Sequence, residues 1–194
     1  MTKCLNFYFD FISPYSFLAY KRLNTLNTEN KIIIKYKPIL LGGLHNLGGI
    51  TPPAFNERKL KNMKNDCELI ASKNNIELKW NIKFPINSLY LMRGYLVIDD
   101  SLKKKFFEIC FDAYWKDNLD ISEEKNVEMI LKKAGLDKKK FLNNIQDNNV
   151  KDMLKDLTNN AFEKDIFGAP TFVVNNKIFW GQDRLDYALD EYNS

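Results

Sequence analysis

The chain has 194 residues, 45% of them apolar and 28% charged, with eight glycines and six prolines, a composition that excludes disordered and collagenous classes. Its net charge of +4 comes from 29 basic and 25 acidic residues with no long block of one sign, so Lys103–Lys105 and Lys138–Lys140 read as solvated helix faces rather than a nucleic-acid surface. One histidine, His45, and three scattered cysteines, Cys4, Cys67 and Cys110, exclude a zinc site of ordinary ligand spacing and a Cys-x-x-Cys dithiol.

The first element in chain order is a strand, Leu5 to Phe11, aromatic-rich with its apolar side chains mostly on alternate residues. Ser13 is placed to cap a helix and Pro14 to occupy its first turn, so a helix is expected from Pro14 to about Asn27. The β-branched run Lys31 to Pro38 predicts a second strand, and strand, helix, strand in so short a span implies parallel pairing with a right-handed crossover. Leu40 to Pro53, with four glycines and two prolines, reads as a loop. From Ala54 to about Ile166 the pattern is helical, with helices expected over 55–73, 87–99, 102–117, 122–134, 137–148 and 150–164, Ser122 to Lys125 and Asp137 after Gly135 supplying start and stop signals.

Beyond that block, Thr171 to Val174 and Lys177 to Trp180 predict a hairpin turning at Asn175-Asn176, and Asp183 is placed to open a final amphipathic helix. The order βαβ, helices, ββα predicts a discontinuous domain of residues 1–48 and 166–194, interrupted by a helical domain of residues 49–165. No window approaches the length of a membrane span and no secretory leader is evident, and the odd set of thiols suits a reducing compartment, so a cytoplasmic location is expected.

A strand that ends at a helix N-terminus, with a proline just before the later hairpin, resembles the thioredoxin fold, here with Ser13 and Ser16 where thiol–disulfide members carry cysteines. Serine cannot cycle between thiol and disulfide, but its hydroxyl and the free N–H groups of the helix start can donate to an anion, such as the thiolate of a bound thiol. On local sequence alone, capping and ligand contact both remain open for Ser13.

Four stretches, "FYFDFISPYSFLAY", "GGITPP", "FPINSLYLMR" and "FGAPTFVVNNKIFWGQDRLD", together resemble the 2-hydroxychromene-2-carboxylate isomerases and the related kappa-class glutathione transferases, in the DsbA-like branch of the thioredoxin superfamily. The resemblance implies an α/β, thioredoxin-like fold with an inserted all-helical domain. By it, Ser13 matches the serine that hydrogen-bonds the glutathione sulfur, Pro170 matches the cis-proline of the fold, and the main chain of Ala169 pairs with the cysteinyl part of glutathione. Asp183, with Gln182 beside it, falls where the family holds the γ-glutamyl end, and Lys59 aligns with a lysine facing the glycyl carboxylate. Helix capping by Asp183 and a solvated Lys59 are the alternatives that the residues themselves leave open.

Relatives commonly carry Gly-Asn-x-Pro-Pro where this chain has Gly49-Ile50-Thr51-Pro52-Pro53, and isoleucine offers no side-chain hydrogen bond. Either Asn46 or Thr51 takes over that contact, or the pocket takes a different substrate. His45 in the same loop and Asn87 at a helix start lie in regions the family uses beside the substrate, with a solvent-facing residue and a helix cap as alternatives. The implied function is a glutathione-dependent isomerase that interconverts 2-hydroxychromene-2-carboxylate and trans-o-hydroxybenzylidenepyruvate in aromatic degradation. Glutathione is the implied cofactor, an aromatic-derived small molecule the substrate, and a homodimer the frequent assembly. A kappa-class-like glutathione transferase and a non-enzymatic thioredoxin-fold binding module are the competing expectations.

Overall fold

The computed structural model describes residues 3–30 and 32–194. Four strands, β1 (Leu5–Phe9), β2 (Ile34–Pro38), β3 (Thr171–Val174) and β4 (Lys177–Trp180), form one sheet in the order β2-β1-β3-β4. β1 and β2 are parallel through the crossover helix α1 (Pro14–Asn30), whereas β1–β3 and β3–β4 are antiparallel. This is a thioredoxin-like α/β fold with helices inserted between β2 and β3. Asn175 and Asn176 both adopt positive φ, 49° and 63°, the condition for a tight two-residue hairpin turn.

The alternation along β1 sends Leu5, Phe7 and Phe9 to one face of the sheet, where all three are fully buried. The helix α5 (Asp100–Trp115) lies on that face, with the Phe107 ring centroid 4.6 Å from Phe9, 4.5 Å from Tyr36 and 4.9 Å from Phe111. Such edge-to-face and tilted aromatic packing fixes the helix on the sheet more specifically than aliphatic burial would. The Trp115 indole N–H donates to the Phe11 carbonyl at 2.9 Å, which pins the end of the β1 segment to α5 just before Ser13. On the opposite face, Tyr8 and Val173 pack against a smaller buried cluster of Ile39, Leu44, Ala161 and Ile166.

Several sequence expectations need correction. The segment expected as a loop over 40–53 contains a helix, α2 (Leu41–Leu47), because remote side chains satisfy its first amides. Asp10 Oδ2 accepts the Leu41 N–H at 2.8 Å, and Thr158 Oγ1, on the helix α8 (Asn148–Phe162), accepts the Leu40 N–H at 3.0 Å. The second strand starts at Ile34 rather than Lys31, which lies outside the described residues. Phe55 belongs to a short 3₁₀ turn (Pro53–Phe55), and α3 (Glu57–Lys73) starts behind Asn56, whose side chain accepts the Lys59 N–H. The helix expected over 87–99 is the shorter α4 (Leu89–Val97).

The remaining inserted helices are α6 (Glu124–Ala134) and α7 (Lys138–Gln146), the latter capped by Asp137 as expected. Asp183 does not open the last helix. It lies in a 3₁₀ turn (Gln182–Arg184), and α9 (Leu185–Asn193) begins after it. Gly181, at φ 105°, lets the Asp183 carboxylate fold back over the main chain, since a Cβ at Gly181 would stand 2.5 Å from Asp183 Oδ1. Among the described residues no helix is long and apolar enough to cross a membrane.

Candidate active site

Ser13 sits where β1 has ended and α1 begins, only 2% exposed. Its main-chain N–H donates to the Asp10 carbonyl at 3.0 Å. Its Oγ accepts the Ser16 N–H at 3.1 Å, the expected cap, and donates to the Ala169 carbonyl at 2.9 Å. The peptide between Ala169 and Pro170 is cis, and the Pro170 carbonyl accepts the Gly181 N–H at 3.0 Å. The hydroxyl and this main-chain edge therefore face each other across the start of the cleft.

A cavity of about 1180 Å³ opens there, just above the roughly 300–1,000 Å³ usual for a small-molecule site. The residues that the resemblance nominates border it, namely Ser13, His45, Ile50, Lys59, Asn87, Ala169, Pro170, Gln182 and Asp183, whereas Ser16 does not. Asn46 and Thr51 border it too. Ser13, Ala169 and Pro170 are joined by the contacts just described. Gln182 is held from behind, its carbonyl and Oε1 accepting from Arg22 at 3.0 and 3.5 Å, while Arg22 also grips both carboxylate oxygens of Asp186 at 2.9 Å.

Asp183 is exposed and ion-paired with Arg184 at 3.2 Å, so both signs of charge stand together at that end of the cavity. Lys59 stands exposed in the first turn of α3. His45 is half-buried on α2, and burial lowers its pKa, which keeps the imidazole neutral at pH 7. Asn87 Oδ1 accepts the Leu89 N–H at 2.8 Å, so this cavity residue also supports the start of α4. Ile50 contributes to an apolar wall that includes Phe55, Phe84 and Ile86.

Sequence reasoning passed over three features of this cavity. Tyr15 donates its hydroxyl to Asp66 Oδ2 at 2.9 Å, and burial, reinforced by neighbouring Cys67 and Asp66, pushes the phenol pKa up and keeps it neutral. Phe167 and Trp180 pack at a tilt with centroids 4.7 Å apart, and the indole lies against Gly168, where a Cβ would meet its nitrogen at 2.4 Å. Asp10, completely buried, also borders the cavity. Its signal in the sequence was a lone charge inside the aromatic run "FYFDFIS".

Comparison with known proteins agrees with this architecture. The chain is 29% identical over 194 residues to a 2-hydroxychromene-2-carboxylate isomerase of Sphingobium xenophagum, covering 99% of this chain and 98% of that protein. It is 25% identical over 207 residues to glutathione S-transferase kappa 1 of Rattus norvegicus, covering 97% and 92%. A solved 2-hydroxychromene-2-carboxylate isomerase superposes with a TM-score of 0.89 at 26% identity, covering 98% of this chain and 94% of that one. The oxidoreductase DsbA of Xylella fastidiosa superposes with a TM-score of 0.62 at 12% identity, covering 98% and 83%, a likeness of fold alone. The DSBA-like thioredoxin domain matches residues 4–193, and with a sheet, insertion and cis-proline arranged as described, the chain belongs to that family.

Proposed function

We propose that the protein is a glutathione-dependent isomerase of small aromatic-derived acids, acting on 2-hydroxychromene-2-carboxylate or a close analogue. The observation that carries this reading is the Ser13 hydroxyl, placed at a helix start inside the cavity and opposite the Ala169 main chain. The donor set fits glutathione: a hydroxyl and a helix N-terminus suit its sulfur, the Asp183–Arg184 pair suits the zwitterionic γ-glutamyl end, and Lys59 suits the glycyl carboxylate. Bound there, glutathione would supply a thiolate that adds to the conjugated substrate, permits rotation about the bond so made single, and leaves unchanged.

The chain's own residues do the rest by orientation and hydrogen bonding. Ser13 now donates to Ala169, so ligand binding requires its proton to turn from that carbonyl to the sulfur. The Ala169 carbonyl is thereby released to accept an N–H from the ligand main chain, as in strand addition. The two events are one exchange of hydrogen bonds, which leaves no buried acceptor unpaired. Ile50, Phe55 and Phe84 give the cavity an apolar lining. Its three cysteines are free, which suits the reducing cytoplasm that belongs to this proposal.

Calorimetric titration with reduced glutathione, on the wild type and Ser13→Ala at two pH values, tests the reading. Proton release on binding that disappears in Ser13→Ala is the expected result; absence of binding at millimolar glutathione would overturn it. The 25% identity to glutathione S-transferase kappa 1 favours a second reading, in which the same thiol is transferred to an electrophile. Product analysis separates the two, because only a transferase consumes glutathione.

A further inference from the structure

Asp10 is the least expected group in this cavity: a carboxylate with no exposed surface, on the segment that runs from β1 to Ser13. Its Oδ1 accepts the Ile12 N–H at 3.1 Å and the Ser88 hydroxyl at 2.7 Å. Its Oδ2 accepts the Leu41 N–H at 2.8 Å, and its main-chain carbonyl accepts the Ser13 N–H at 3.0 Å. Ile12, Ser13, Leu41 and Ser88 all border the cavity, yet they come from three separate stretches of chain.

Neither α2 nor α4 has a side-chain cap at its own N-cap residue. For α4 this is a choice, since Ser88 occupies the N-cap position and still gives its hydroxyl to Asp10. A serine diverted from its own helix, onto a carboxylate that also holds a second helix and the turn to Ser13, makes a three-way tie. Burial raises the Asp10 pKa and the converging donors, Ser88 first, oppose that rise.

We propose that Asp10 is the positioning residue of this site, holding the turn to Ser13, the first turn of α2 and the start of α4 in one register around the cavity. The proposal rests on the reading of the cavity as a glutathione site. The chemistry of an amide makes it testable. In Asp10→Asn one oxygen becomes an NH₂ group, and whichever way the amide faces, it presents a donor to either the Ile12 or the Leu41 N–H. The Ser88 hydroxyl can turn and accept instead, but a main-chain N–H cannot. The substitution therefore disturbs the Ser13 turn or α2 while preserving shape.

The experiment measures glutathione affinity and the pKa of the bound thiol, from thiolate absorbance against pH, in wild type, Asp10→Asn and Ser88→Ala. Asp10→Asn is expected to weaken glutathione at least tenfold and to raise the thiol pKa, and Ser88→Ala to weaken it less. A folded Asp10→Asn with both quantities unchanged, however much stability it has lost, overturns the proposal. Hydrogen exchange on the ligand-free wild type and Ser88→Ala is read in parallel, because it needs neither glutathione nor a folded Asp10→Asn. The carboxylate is one rigid plane, so removing the Ser88 bond is expected to speed exchange at Ile12 and Leu41 together; acceleration at one alone, or at neither, overturns the tie. If wild type binds no glutathione, the functional reading fails and the exchange data alone decide on Asp10.

Discussion

The Ser13 hydroxyl donates to the Ala169 carbonyl at 2.9 Å, joining the first turn of α1 to the residue before the cis-proline across 156 positions of sequence. The same oxygen caps α1 through the Ser16 N–H. Ser13→Ala removes both contacts at once and leaves a buried N–H unpaired. A loss of about 1–2 kcal/mol is expected, read as a fall in Tm of roughly 2–8 °C for a chain of this size. An unchanged Tm would show that the bond to Ala169 holds nothing in place.

The opposite outcome is expected three residues on. Ser16 is fully buried and its hydroxyl has no hydrogen-bond partner. Ser16→Ala deletes an unsatisfied polar group and adds the best helix former in the first turn of α1, so a gain of about 1 kcal/mol is expected in chemical denaturation. Destabilisation instead would mean that the hydroxyl serves a partner.

Thiol reactivity should divide the three cysteines. Burial raises the Cys67 pKa to about 12 and pushes that of Cys110 well above its ordinary value, so neither forms the reactive thiolate near pH 8. Cys4 is half-buried and lies outside the core. Alkylation of the native protein followed by mass analysis is expected to modify one site, Cys4, with Cys67 and Cys110 joining only in denaturant.

His45 carries a pH signature of definite sign. Burial lowers its folded pKa below the unfolded value, so the unfolded chain binds the proton more readily. Its contribution to stability is complete above about pH 6.5 and is lost as pH falls through the folded pKa. Between pH 7.5 and 5.5 the wild type is expected to lose more Tm than His45→Gln, and parallel curves would contradict the burial of that ring.

What the sequence made legible was local chemistry. Ser13-Pro14 as cap and first turn, Asn175-Asn176 as a hairpin turn and Asp137 as a cap depend on neighbours a few residues away, and the structure has all three. α2 was illegible because the groups that satisfy its first amides, Asp10 and Thr158, lie 31 and 118 positions away. The cavity wall shows the same division. Its nominated residues came from motif resemblance, whereas Tyr15 with Asp66, and Asp10 with Ser88, meet only through tertiary packing across 51 and 78 positions.

The placement of β1 between β2 and β3 has a consequence for synthesis. Asn6 pairs with Val173, so an early strand of the chain waits for 167 further residues before its second neighbour exists. At ordinary translation speeds that interval is roughly 10–30 s, during which one edge of β1 is unpaired and the Phe172 side of its aromatic cluster is open. A nascent chain halted before β3 would present this bare edge to other chains, so ribosome-bound intermediates are the natural clients for chaperone capture. The Ser13–Ala169 contact, which spans 156 positions, likewise waits for the far end of the chain.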